Sequence, residues 1–279
     1  MLNPRVSILM ASWNRAHLIG RAIKSVLSQN FQDWELIIID DGSTDNTSEV
    51  IKEWQEKDTR IKYFYNKHIG RISKVSNFGL QQTRSQYIAI LDDDDEWIDP
   101  DKLKIQVEFL DKNPDYAGCG GGFIIIDEKG KEGLRILKPE KDEDIKAKAL
   151  LANPMANSTT LFRYEAAKKV GFYDETLLQF ADWDFWLKIG LIGKLYNFPR
   201  YFAYYQMSQK GSSFKKQKEN AISALKIVRR YKNSYPGFNK AILLANFYYL
   251  YTFLPELLRK FLNPFLSQFK KLIFSLRKK

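Results

Sequence analysis

Short apolar runs alternate with helix-patterned stretches through the first 95 residues, and two of those runs end in aspartates. Residues 6–10 (VSILM), 34–39 (WELIII), 61–65 and 87–91 (YIAIL) are too short for buried helices. They are also too continuous for strands wetted on one face. Between them, Leu18, Ala22, Ile23, Val26 and Leu27 predict a helix within 17–30. Val50, Ile51 and Trp54 predict a second, which Asp45 or Thr47 can cap, and a third is expected over 74–83. Such alternation predicts a mostly parallel α/β sheet flanked by helices on both faces. Ligands of these sheets bind beyond the carboxyl ends of the strands. Asp40-Asp41 and Asp92-Asp93-Asp94-Asp95 both fall there.

The second half is less regular. A helix is expected over 102–110, a turn at Gly120-Gly121-Gly122 leading into a strand, and a charged loop over 127–144. An aromatic strand over 199–207 closes the enzyme-like part. The sequence thus divides into a globular part, 1–209, and a helical appendage, 210–279. The appendage carries 16 Lys+Arg and two Asp+Glu, +14, which leaves −3 of the chain's +11 for the rest. A basic segment on a slightly acidic body implies its own anionic partner. Cys119 is the only cysteine, so no intrachain disulfide forms, in keeping with a reducing compartment. The first residues lack the charged and apolar regions of a secretory signal.

Four successive aspartates repel one another unless a cation or hydrogen-bond donors compensate. Hard divalent ions such as Mg²⁺ and Mn²⁺ favour carboxylate oxygens and bridge them to substrate phosphates. Alone, Asp40-Asp41-Gly42-Ser43 reads equally well as an Asx-type turn before a helix. Paired with the second cluster at a neighbouring strand end, it points to a phosphate-bearing ligand. A third acidic pair, Asp182 and Asp184, lies in a helix-patterned stretch with Trp183, Trp186 and Leu187. Two positions apart, these aspartates cannot share one helix face, so only one faces a common cleft. His17 and His68 are the only histidines, which leaves no histidine relay or zinc site, and His68 is expected to be a loop residue without catalytic duty.

VSILMASWNR followed by WELIIIDDGSTDNT resembles the opening of family 2 glycosyltransferases. ILDDDDEWIDPDKL is similar to their DxD region, and FADWDFWLKIG to their E-D-x-D-x-W-x-x-R region. The likeness spans about residues 4–205. It implies a GT-A fold, Rossmann-like, with a nucleotide-sugar half over about 1–100 and an acceptor half over about 101–209. It also implies an inverting transfer of sugar from a nucleoside-diphosphate sugar, a UDP-sugar above all, to an acceptor hydroxyl. In that scheme Asp41, the backbone at Ala11 and Ser12, and Arg71 surround the nucleotide base. Asp93 faces the ribose, Asp92 completes the DxD spacing, Asp94 holds Mn²⁺ or Mg²⁺ on the diphosphate, and Asp182 is the general base. Ala181 stands where the family has Glu, Lys188 near its Arg, and Val75-Ser76-Asn77-Phe78-Gly79 in place of A-R-N-x-G.

The appendage reads as a basic amphipathic helix over 215–235, then an apolar stretch over 241–254. That stretch falls short of the roughly 20 residues that span a bilayer. From Leu257 onward, Leu, Phe and Ile alternate with Lys and Arg in the pattern of a helix lying in a membrane interface. The expected partners are therefore an anionic membrane surface and a glycan or lipid-linked acceptor rather than nucleic acid, with the protein peripheral on the cytoplasmic face. The alternatives are packing of this face on the body or on another subunit, and a degenerate domain that binds glycans without turnover. A haloacid-dehalogenase-type phosphotransferase is excluded, because Ile39 occupies the place of its nucleophilic aspartate.

Overall fold

The computed structural model describes residues 3–206, 216–255 and 258–259. Strands β1 (Val6–Ser12), β2 (Trp34–Asp40), β3 (Ile61–Tyr65) and β4 (Tyr87–Ile90) form from the expected apolar runs. They pair in parallel in the order β3-β2-β1-β4. The pleat explains why their sequences do not alternate. Val6, Ile8, Met10, Leu36 and Ile38 face one core with helices α1 (Ile19–Leu27) and α2 (Thr47–Lys57). Leu9, Ile37 and Ile39 face the other with α3 (Ile72–Gln82). Where both faces are dry, as over 8–10 and 36–39, successive positions are all apolar.

Beyond β4 the sheet continues with a short β5 (Glu96–Trp97), α4 (Lys102–Lys112), β6 (Tyr116–Ile126), β7 (Glu132–Ile136), α5 (Asp142–Lys148), β8 (Leu161–Arg163), α6 (Tyr164–Lys169), α7 (Ala181–Ile192) and β9 (Lys194–Gln206). The nine-stranded order is β3-β2-β1-β4-β8-β6-β9-β5, with β7 on β6. β8 joins the two halves by antiparallel pairing to both β4 and β6, while β6 and β9 run parallel. The sheet is thus parallel through its first half and mixed in its second.

Two expectations for the second half need correction. The loop expected over 127–144 contains β7, which forms a hairpin with β6, and the start of α5. Gly120-Gly121-Gly122 is the interior of β6 rather than a turn, and none of the three has a positive φ. Their value is closeness. A Cβ on Gly121 would lie 2.5 Å from the Phe202 ring, and one on Gly122 would lie 2.7 Å from the Ile136 carbonyl oxygen.

From residue 216 to 251 the described part of the 210–279 appendage packs on the body. Helices α8 (Gln217–Arg230) and α9 (Phe238–Tyr251) bury Leu225, Ile227, Val228, Tyr231 and Tyr235 in the same core as Phe185, Trp186 and Ile189 of α7. The Tyr235 hydroxyl donates to the Leu187 carbonyl at 2.7 Å, in space left by Gly190. The guanidinium of Arg230 meets the fully buried Asp184 at 2.6 Å and Asp174 at 2.8 Å. Among the described residues, no helix is long and apolar enough to cross a membrane. The interfacial helix expected from Leu257 onward lies almost wholly outside the described residues.

Three stability outcomes follow from this packing. Gly122→Ala should lose about 1–3 kcal/mol in urea denaturation, because a backbone carbonyl cannot step aside as a side chain does. Arg230→Met should lose about 3 kcal/mol or more, since it leaves the buried Asp184 carboxylate with the Tyr231 hydroxyl at 3.0 Å and, as its nearest cation, Lys188 at 3.5 Å. Lys102 is fully buried, its ammonium bonded to the Gln106 side chain at 2.8 Å and set 4.0 Å from the Trp97 ring. Burial pushes its pKa down to about 7. The unfolded chain therefore binds the extra proton between about pH 7 and 10.5, and stability rises with pH across that window. Melting temperatures of Lys102→Met should lack this rise and should match or exceed the wild type at pH 7; a lower value there would refute the reading of Lys102 as a destabilising charge.

Candidate functional site

β1, β2 and β4 end at one edge of the sheet, and their last residues build the site. Asp40 closes its own turn, accepting from Ser43 N at 2.8 Å and from the Tyr63 hydroxyl at 2.9 Å. Asp41 is buried and takes a different part. Its carboxylate accepts the Ile69 and Gly70 amides at 2.7 and 2.9 Å, and its own amide donates to the Ser12 carbonyl at 2.8 Å. Gly42, at φ +76°, lets the following chain pass the His68 backbone, which a Cβ would approach to 2.6 Å. His68 lies in a loop, as expected, with its ring against Asp41 at 3.2 Å and stacked on Trp13 at 4.8 Å between centroids. Ala11, Ser12 and Asp41 therefore share one corner. Arg71 starts α3, but its guanidinium reaches across to the Glu175 carbonyl at 2.6 Å.

The second cluster occupies the turn between β4 and β5. Burial pushes Asp92 and Asp93 up to about 7, and the Asp94 carboxylate adds to both. The Asp182 charge also raises Asp92. Arg15 answers part of this charge, 3.5 Å from both Asp93 and Asp94. Arg21 adds a bond to the Asp94 carbonyl at 2.8 Å. Among the described residues, no three carboxylate, histidine or cysteine side chains are arranged to enclose a metal by themselves. The oxygen donors fit a hard divalent ion that protein holds through one or two carboxylates and substrate phosphates complete.

Asp182 lies in the first turn of α7. Phe180, which precedes that helix, has φ +61°, a left-handed conformation unfavourable for an aromatic residue and common at functional sites. Burial raises the Asp182 pKa, opposed by backbone amides at the helix start, by Lys138 and by Asn153. Asp184 points the other way, into the core against Arg230 and Tyr231. The two-residue spacing thus separates the pair as the helix period requires.

Sequence reasoning missed the segment from 153 to 160. Asn153 donates to Asp182 at 2.6 Å, Asn157 donates to Asp92 at 3.1 Å, and the Ser158 hydroxyl bonds the Asp95 carboxylate. From beneath, Gln106 holds the Thr159 carbonyl at 2.8 Å and Trp97 the Ser158 carbonyl at 2.6 Å. This strap ties the acidic cluster to Asp182. Its Asn, Ser and Thr content resembles any polar turn, so only the fold identifies it. Asn77, in the altered A-R-N-x-G stretch, grips the backbone of Tyr173 at both ends, 3.0 Å each, and so sets the approach to α7.

Comparison with known proteins agrees with this architecture. The family model "Glycosyl transferase family 2" matches residues 7–171. The chain is 32% identical over 238 residues to a putative glycosyltransferase, EpsE, of Bacillus subtilis, covering 82% of this chain and 84% of that protein. It is 31% identical over 202 residues to an uncharacterized glycosyltransferase of Rickettsia typhi, covering 70% of this chain and 61% of the relative. Two solved structures share the fold at 17% identity. One is the mannosyltransferase PcManGT of Pyrobaculum calidifontis in complex with GDP-Man and Mn²⁺, with TM-score 0.66 over 90% of this chain and 70% of that one. The other is TarS 1–349 of S. aureus in complex with UDP-GlcNAc, with TM-score 0.66 over 87% and 72%. The sheet is therefore that of the GT-A fold, and the chain is a glycosyltransferase that belongs to family 2.

Proposed function

We propose that this chain moves a sugar from a nucleoside-diphosphate sugar to an acceptor hydroxyl with inversion at the anomeric carbon. The observation that carries the reading is the strap that joins Asp182, on the second half of the fold, to Asp92, on the first, through Asn153 at 2.6 Å and Asn157 at 3.1 Å. A donor seated at the strand ends then presents its anomeric carbon toward Asp182. The corner of Ala11, Ser12 and Asp41 takes the base and Asp93 the ribose, with Arg71 at the side toward Glu175. Asp94, beside Asp92, is the carboxylate placed to hold Mn²⁺ or Mg²⁺. The ion, when bound, supplies charge stabilisation for the departing nucleoside diphosphate. Asp182 accepts the proton of the attacking hydroxyl, and its raised pKa suits a general base. No covalent intermediate is needed, because one displacement from the opposite face inverts the centre. The neighbours that bind UDP-GlcNAc and GDP-Man support a nucleotide-sugar donor. A UDP-sugar is favoured, and the base is left to direct test.

We infer further that residues 1–209 form the catalytic unit and that 210–279 bring it to the cytoplasmic face of a membrane, where a lipid-linked or cell-surface glycan is the acceptor. The observation behind this is on α9. Leu243, Phe247 and Leu250 form one exposed apolar stripe, 53–70% accessible, on the side of the helix opposite buried Ala241 and Ala245, and exposed Phe253 follows in the turn after it. Lys218 lies beside Phe253, and residues 256–279 add seven cations and one carboxylate. An anionic bilayer satisfies both the stripe and the charge.

Thermal melting with Mn²⁺ and UDP, GDP, CDP or dTDP tests the donor site. One nucleotide at 100 times its dissociation constant should add about 2.7 kcal/mol of stability. The gain should need metal and vanish in Asp94→Ala. Asp182→Asn should keep that gain while turnover falls about 10²- to 10⁴-fold. Full-length protein should float with vesicles rich in phosphatidylglycerol but not with phosphatidylcholine alone, and Phe247→Glu/Leu250→Glu should remain at the bottom of the gradient.

A further inference from the structure

The loop that follows β7 and the start of the strap meet at the rim of the Asp182 pocket. Their side chains are polar in a place where a packed loop has no need of them. Asn153 donates from Nδ2 to Asp182 Oδ2 at 2.6 Å. Its Oδ1 accepts the Met155 amide at 3.2 Å, and its backbone carbonyl accepts the Lys138 ammonium at 2.9 Å. The Met155 bond settles which way the amide faces: its oxygen is already committed to an N–H, so its nitrogen must turn to the carboxylate. Lys138 in turn fixes the backbone from which that amide projects. Among the described residues Lys138 forms no salt bridge, and its charge still acts on Asp182.

We propose that Asn153, braced by Lys138, is a positioning residue that orients Asp182 and keeps it ionised for proton abstraction. This rests on the reading of Asp182 as the general base.

The reasoning is electrostatic. A donor that bonds a carboxylate favours its charged form, and burial disfavours it. Asp182 has burial against it. The titratable groups that feel its charge are Asp92 after β4, Lys138 after β7, Tyr173 ahead of α7 and Tyr205 on β9. The tyrosines are neutral near pH 7, so Lys138 is the one cation among them. The backbone amides at the start of α7 also favour the charged carboxylate. Asn153 adds a side-chain bond to one of its oxygens from a different element of the fold.

The test reads Asp182 in two ways. Its carboxyl titration in the ligand-free protein is followed by carbon NMR, with the resonance identified by its absence in Asp182→Asn. Asn153→Ala should move that titration upward by about 1 unit or more, since hydrogen bonds to charged groups are worth about 1.5–3 kcal/mol. Lys138→Met should move it in the same direction by less. The second readout is nucleotide-sugar hydrolysis with Mn²⁺ over a panel of UDP-, GDP-, CDP- and dTDP-sugars. There Asn153→Ala should lower kcat about 10- to 100-fold and shift the acid limb of the profile upward. The KM for the donor and the melting temperature should stay near wild type. An unmoved Asp182 titration in Asn153→Ala overturns the proposal while leaving Asp182 as base. Full turnover by Asp182→Asn overturns both.

Discussion

The acidic cluster at the end of β4 is the constraint around which the second half of the fold is arranged. Carboxylates at 92–95 raise one another's pKa and lie in a cleft where solvation is poor. Left alone, such a turn would spread apart or protonate. It is held because donors come from several elements: Ser158 and the Gln206 amide on Asp95, Asn157 on Asp92, Arg15 across Asp93 and Asp94. Asp95 is so fully bonded that it belongs to the scaffold. Asp94, with only a 3.5 Å contact to a half-exposed arginine, keeps its oxygens available. Four adjacent residues of one type thus divide into those bound into the turn and those whose oxygens stay open.

The strap works because it is anchored from both sides. Its polar side chains rise toward the carboxylates while its carbonyls point down to Gln106, Trp97 and Lys102. Burying Lys102 under this segment is costly in desolvation. It is tolerated because Gln106 accepts a bond from it and the Trp97 ring lies against its ammonium. The strap is therefore held by interactions one layer deeper, from α4 and β5.

The first half of the fold was legible because its rules are local. Dry parallel strands make continuous apolar runs, and functional carboxylates collect at their ends, so residues 6–95 could be assigned with little loss. The second half was not, for particular reasons. The glycines of β6 have the appearance of a turn, yet they serve close packing against Phe202 and Ile136, which are distant in sequence. The hairpin with β7 is charged and exposed, so it has no apolar pattern to read. At the site, Asp41, Asp94 and Asp182 stood out by type and spacing. Asn153, Asn157 and Lys138 did not, since an amide or a lone lysine in a loop acquires meaning only from what folds against it.

Arg230 shows how far such meaning can travel. The resemblance leads one to expect an arginine five residues beyond Asp184, where the chain has Ile189, with Lys188 beside it. Lys188 instead gives a hydrogen bond to the Phe172 carbonyl at 2.6 Å and stands 3.5 Å from Asp184. The short contact to Asp184 is made by Arg230, from a helix that composition alone assigns to a basic appendage. A planar guanidinium spans Asp184 and Asp174 together, which a single ammonium at position 188 does not do. Because Asp184 and Asp182 share the first turn of α7, holding one anchors the helix that presents the other. Residues 216–251 are accordingly bound to the geometry of the site through α7. Any membrane contact made by α9 bears on the same body that carries Asp182.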